Sequence, residues 1–249
     1  MATTNDELKK LQAQIEALGE QMKKLNTALL ILIIAIAGVY YFILRTPAEA
    51  PNAPSPTTNI TYTYTVDKVI ANPVYTSYFN YTLHEPLYVS YKLYQGGGDC
   101  KRTHMHFKTD GLINSATVED YKHSMYDEGH LCNAEDEAFD CEREELTFRF
   151  YNCLPQTPKL NRGVWKTWET QVRKDSQTDS LLILCGGIFG DKKIGQATVP
   201  DYCWKVVYNI STHRILHCLL FANDDSNTVE RTTVTELKQR VGYKLELPF

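Results

Sequence analysis

The residues best suited to chemistry lie between Tyr126 and Arg173. The stretch Tyr126-Asp127-Glu128-Gly129-His130-Leu131 presents an imidazole just after a glycine, where a short strand would end. An imidazole titrates near neutrality and can take a proton from water, although most histidines are simply hydrogen-bonded. Further along, Asn161, Trp165, Glu169 and Arg173 recur every fourth residue and share one broad helix face. The Asn161 carboxamide has two uses: it can cap the helix, or its oxygen can hold Mg²⁺, a hard cation that keeps several waters. The indoles of Trp165 and Trp168 pack inward. None of the seven cysteines has a recognisable histidine partner, and no Cys-x-x-Cys pair offers a thiolate zinc site.

Groups this far apart in sequence need a scaffold to bring them together. From Ile60 onward, tyrosine-rich alternating runs such as ITYTYTV and PLYVSYKLY predict strands, and Gly96–Asp99 predicts a turn. Helical patterning is confined mainly to Asn161–Lys174 and Thr233–Val241, which gives an α+β class with helices packed on an antiparallel sheet. Ahead of this domain, assigned to 60–249, come three attachments. Over 1–26, Leu8, Leu11, Ile15, Leu18, Met22 and Leu25 alternate spacings of three and four. That is a short coiled-coil seam that would join copies of the chain, or else a solvated amphipathic stalk. Over 27–45 the uncharged run Ala28–Leu44 predicts one transmembrane helix, roughly 25 Å long. Residues 46–59 are a proline-rich linker.

Lys9, Lys10, Lys23 and Lys24 precede the span and only Arg45 closely follows it, which places the N-terminus in the cytoplasm and the domain outside it or in a lumen. All seven cysteines follow the span, as in an oxidising compartment, and their odd number leaves at least one unpaired. Asn59, Asn80 and Asn209 begin glycosylation tripeptides.

From about Cys100 onward the chain resembles the DNA/RNA non-specific endonucleases of the ββα-metal superfamily. The family hallmark, Asp-Arg-Gly-His followed by leucine, is matched by Asp127-Glu128-Gly129-His130-Leu131. Its Ser-Asn-x-x-Pro-Gln segment is matched by Tyr151-Asn152-Cys153-Leu154-Pro155-Gln156, and its Leu-Asn-x-x-x-Trp helix start by Leu160–Trp165. Glu169 and Arg173 follow at the family's spacing, and Val199–Val206 resembles its late strand. The resemblance implies the ββα-metal fold, DNA and RNA as substrates, and a single hydrated Mg²⁺, with Mn²⁺ as a substitute. It implies His130 as the base, Asn161 as the protein ligand of the ion, Glu169 as the holder of one of its waters, and Arg173 on the scissile phosphate. Asn152 would help orient the site.

Two features run against easy substrate capture. The net charge is −4, so long-range attraction of a polyanion is excluded and binding must be local. Glu128 replaces the hallmark arginine; facing the cleft, it would repel phosphate and raise the pKa of His130. Arg102 and Lys108 are candidates for the family's upstream cation. The rival expectation is a nuclease fold that is weak or silent and kept as a binding or structural membrane protein.

Overall fold

The computed structural model describes residues 15–27, 29 and 62–248, and the chain divides into two units, Met1–Asn59 and Ile60–Phe249. In the first unit residues 15–27 form helix α1, on which Ile15, Leu18, Met22 and Leu25 are all more than half exposed. Apart from Thr27 and Leu29, the segments expected to be the membrane span and the linker lie outside the described residues. Among the described residues no helix is long and apolar enough to cross a membrane.

The second unit is built on a seven-stranded antiparallel sheet with the order β1-β2-β3-β6-β7-β8-β9. The strands are β1 (Lys68–Ala71), β2 (Tyr75–Asn80), β3 (Glu85–Leu93), β6 (Leu181–Ile194), β7 (Ala197–Asn209), β8 (Arg214–Ala222) and β9 (Val229–Arg231). A separate ribbon pairs β4 (Asp127–His130) with β5 (Cys153–Gln156). The helices are α2 (Val118–Tyr121), α3 (Cys141–Thr147), α4 (Lys166–Asp175) and α5 (Val234–Arg240). The long central strands are apolar on both faces because both faces are covered. Ile183, Cys185, Cys203 and Val207 join a core with Trp165 and Val172 from the α4 side. The alternate residues Leu184, Trp204 and Val206 join a core with Leu237, Val241 and Tyr243. The α+β arrangement expected from the sequence is present. So is the late helix, which Thr233 opens through a capping box with Glu236.

Three local expectations change. The run around Tyr62–Val66 is not a strand; Tyr64 makes only an isolated bridge to Tyr243. Asn80 and Asn209 are buried and hydrogen-bonded, Asn80 to Thr65 and Leu83 and Asn209 to Thr212, which withdraws both from glycosylation. Of the cysteines, Cys100 and Cys141 form a disulfide and the other five are buried free thiols.

Glu85 on β3 is fully buried, and neither carboxyl oxygen has a partner among the described residues. Burial, with Asp120 adding to it, holds its pKa well above the ordinary carboxylate value. A carboxyl raised on folding contributes most below its unfolded pKa, and that contribution is lost as pH climbs toward the folded one. Glu85→Met is therefore expected to stabilise the protein by about 1–3 kcal/mol at pH 8 and by less at pH 5 in denaturant titrations. A loss of stability at both pH values would show that the carboxyl is satisfied.

Candidate active site

The ribbon and the start of α4 form the site. Gly129 lies against Gln156 on the paired strand, where an added β-carbon would come within 2.4 Å of that side chain. The glycine before the histidine is thus a packing requirement. His130 ends β4, with its ring 4.5 Å from Phe107 and edge-on to Phe148 at 4.6 Å. Its Nε2 is shut off from solvent and has no partner among the described residues. Burial first, and the charge of Arg102 second, push the imidazole down to about 3, so it is neutral at physiological pH. This reverses the rise expected from Glu128. That residue sits near Asp127 and His106, and burial followed by Asp127 raises its own pKa.

Arg102 is held by ion pairs to Glu135 and Glu144, and the Cys100–Cys141 disulfide staples the same segment to α3. Lys108 is paired with Glu145 at 2.6 Å on the exposed surface. Of the two candidate cations, only Arg102 acts on His130.

Asn161 is not the helix cap. Thr157 has that role: its hydroxyl accepts the Leu160 N–H at 3.2 Å, and Pro158 follows as the first helical residue. Asn161 instead lies in a π-helical turn, Leu160–Trp165, kinked at Gly163 before α4. Its Nδ2 donates to Asp127 Oδ2 at 3.1 Å, which turns the carboxamide oxygen away from that carboxylate. Asp127 is itself gripped by two bonds from Arg162, at 2.7 and 2.6 Å. Four residues on, Trp165 Nε1 donates to the backbone oxygen of His130 at 3.3 Å. The strand carrying the imidazole and the turn carrying the carboxamide are therefore tied together at two points.

Glu169 is buried one turn further along, and burial lifts its carboxyl to about 7 against the opposing effects of Lys205 and a hydrogen bond from Asn133. Arg173 Nη1 donates to Asp136 at 2.9 Å and lies 3.5 Å from Asn133. Asp136, also bonded by Tyr91, is raised to about 6 by its burial, with Arg173 opposing. Asn152 gives both ends of its side chain to backbone, bonding Cys132 N–H, Cys132 C=O and Thr147 C=O. It shapes the loop after His130 and has nothing left for substrate.

Sequence reading missed Asp127, Arg162, Asn133, Asp136 and Lys205. Asp127 stood in the hallmark itself, and strand alternation in Val199–Val206 would have turned Lys205 toward the site. Nothing in the spacing marked Asn133 or Asp136.

A neutral imidazole and a helix-borne carboxamide, brought together over an antiparallel sheet, pair a proton acceptor with an oxygen ligand, the makings of a hydrolytic site. Residues 53–246 match the model of the DNA/RNA non-specific endonuclease family, and the chain belongs to that family. It is 38% identical over 90 residues to a nuclease of Nostoc sp., covering 35% of this chain and 33% of that protein. It is 31% identical over 93 residues to mitochondrial endonuclease G of Bos taurus, covering 36% and 31%. The chain thus matches about a third of the length of these relatives. Among solved structures it resembles endonuclease G in its complex with EndoGI, with a TM-score of 0.61 at 20% identity over 70% of this chain and 83% of that one, a likeness of fold.

Proposed function

We propose that the chain is a membrane-anchored endonuclease that hydrolyses the phosphodiester bonds of DNA and RNA with little sequence preference. The observation that carries this reading is the neutral imidazole of His130 on the strand whose Asp127 holds Asn161. The imidazole takes the proton of the attacking water through Nδ1, since Nε2 is sealed from solvent. The residues present fit a hydrated divalent cation: Asn161 offers an amide oxygen, and Glu169 a carboxylate behind it. Mg²⁺, or Mn²⁺ in its place, would be held by Asn161 and would supply charge neutralisation at the phosphate. Glu169 orients the waters around that position. Arg173, with Nη1 engaged by Asp136, presents its remaining guanidinium edge to the phosphate, and Arg102 adds positive charge beside the base. Contacts of this kind address the backbone, so base preference is weak.

Supercoiled plasmid and a structured RNA, incubated with the purified full-length chain with and without EDTA, test the proposal. Cutting that needs metal and disappears in His130→Ala supports it. No cutting by the wild-type chain favours the silent nuclease fold. The anchor is tested by alkaline carbonate extraction: the full chain should stay with membranes, and a variant lacking residues 27–45 should not. The exposed seam of α1 would join copies of the chain on one side of the membrane, with the domain on the other.

Glu128 is a brake on binding rather than on the base. Glu128→Arg is expected to lower KM several-fold at low salt and to leave the pH profile where it was, because the imidazole is already neutral. A shifted profile would show that Glu128 acts on the base as well, and an unchanged KM that it points away from the cleft.

A further inference from the structure

We infer that Lys205 is a positioning residue that joins the two arms of the site, its ammonium packed on the Trp165 indole and its charge balancing the Glu169 carboxylate. The inference rests on the nuclease reading above and deepens it. Lys205 lies near the middle of β7, paired with Cys185 on β6 and Leu219 on β8, and it is 1% exposed. A lysine so deep inside a sheet is costly unless its charge is answered.

Two kinds of answer surround it. Its Nζ stands 4.2 Å from the centre of the Trp165 ring, a cation–π contact in a dry environment. Its charge also opposes the burial of both Glu169 and Asp136. Glu169 bonds Asn133 and feels the charges of Lys205 and Arg173, and Arg173 pairs with Asp136, so two cations and two carboxylates share one charge cluster. The thiols of Cys132, Cys185 and Cys203 border it.

Trp165 is the residue that bonds the His130 backbone, and Glu169 follows it one turn along α4. One buried ammonium therefore touches the support of the base and balances the carboxylate behind the cation position. Lys205 itself meets no substrate.

The test is a double-mutant cycle on the full-length chain, with Lys205→Met, Glu169→Gln and the pair. Lys205→Met should lower kcat about 10- to 100-fold with KM little changed, the scale seen when an outer partner of a metal site is lost. The pair should lose less than the product of the two single losses, since part of the lysine's effect passes through that carboxylate. Thermal melting supplies a readout independent of cutting: Lys205→Met should lower the Tm, and adding Glu169→Gln should recover most of that loss. Should the single lysine variant fail to fold, the pair, and Lys205→Arg with its retained charge, still report the coupling. Additive losses in both activity and Tm, or full activity in Lys205→Met, would overturn the inference. If the wild-type chain does not cut nucleic acid, coupled Tm values would leave the link between Lys205 and Glu169 standing while the nuclease reading fell.

Discussion

Replacing His130 with alanine is expected to lower kcat/KM on plasmid DNA by about 10²–10⁴-fold, the usual worth of a positioned general base. The fold should survive. The ring packs against Phe107 and Phe148, and the backbone bond from Trp165 is made to the residue's carbonyl rather than its imidazole. The wild-type pH profile gives a sharper check. An imidazole pushed down to about 3 is unprotonated from mildly acidic to alkaline solution, so a fall in rate between pH 6 and 8 cannot come from it. Glu169, raised to about 7, is the group that titrates there. Activity should rise as pH increases through that region and the carboxylate forms, and Glu169→Gln should flatten the rise. An acid limb near neutrality that persists in Glu169→Gln and vanishes on replacement of His130 would assign the titration to the imidazole and contradict its burial.

Asn161→Ala is expected to abolish the response to divalent cations, weakening their binding more than 100-fold in calorimetric titrations and cutting activity at least as far. The orienting groups should matter less. Arg162→Ala frees Asp127, and Asp127→Asn frees the Asn161 amide; each should cost about 10- to 100-fold in cation affinity, as loss of an outer hydrogen-bond partner does. A cation affinity in Asn161→Ala equal to that of the wild-type chain would remove the carboxamide from the site.

The fold class was legible because two signals agreed: β-rich alternating runs over most of the domain, and helical periodicity confined to two stretches. The positions of His130 and Asn161 were legible through short motifs whose geometry is local, a strand end and a helix start. What surrounds them was not. The pKa of His130 was judged from the neighbour visible in sequence, Glu128, whereas the environment that decides it is made of Phe107, Phe148 and Arg102, brought from other segments. Asn161 could be read as a helix cap or as a cation ligand; the π-turn that leaves the cap to Thr157 has no composition signal to decide between them. Arg102 and Lys108 looked equivalent until their ion pairs separated them.

The distribution of sulfur has a biosynthetic consequence. Five thiols end up sealed inside the sheet cores, yet every one is reachable while the chain is still unstructured. If the domain matures among oxidants, correct maturation becomes a race in which sheet closure must outrun stray cross-linking, and refolding yield should rise when oxidant is withheld until collapse is complete. If it matures among reductants, the hazard disappears and a different one replaces it. The strap that brings Arg102 beside the imidazole then keeps only its ion pairs and the backbone bonds around it, such as Cys100 N–H to Ala138, so the same polypeptide would work at different strengths in the two settings.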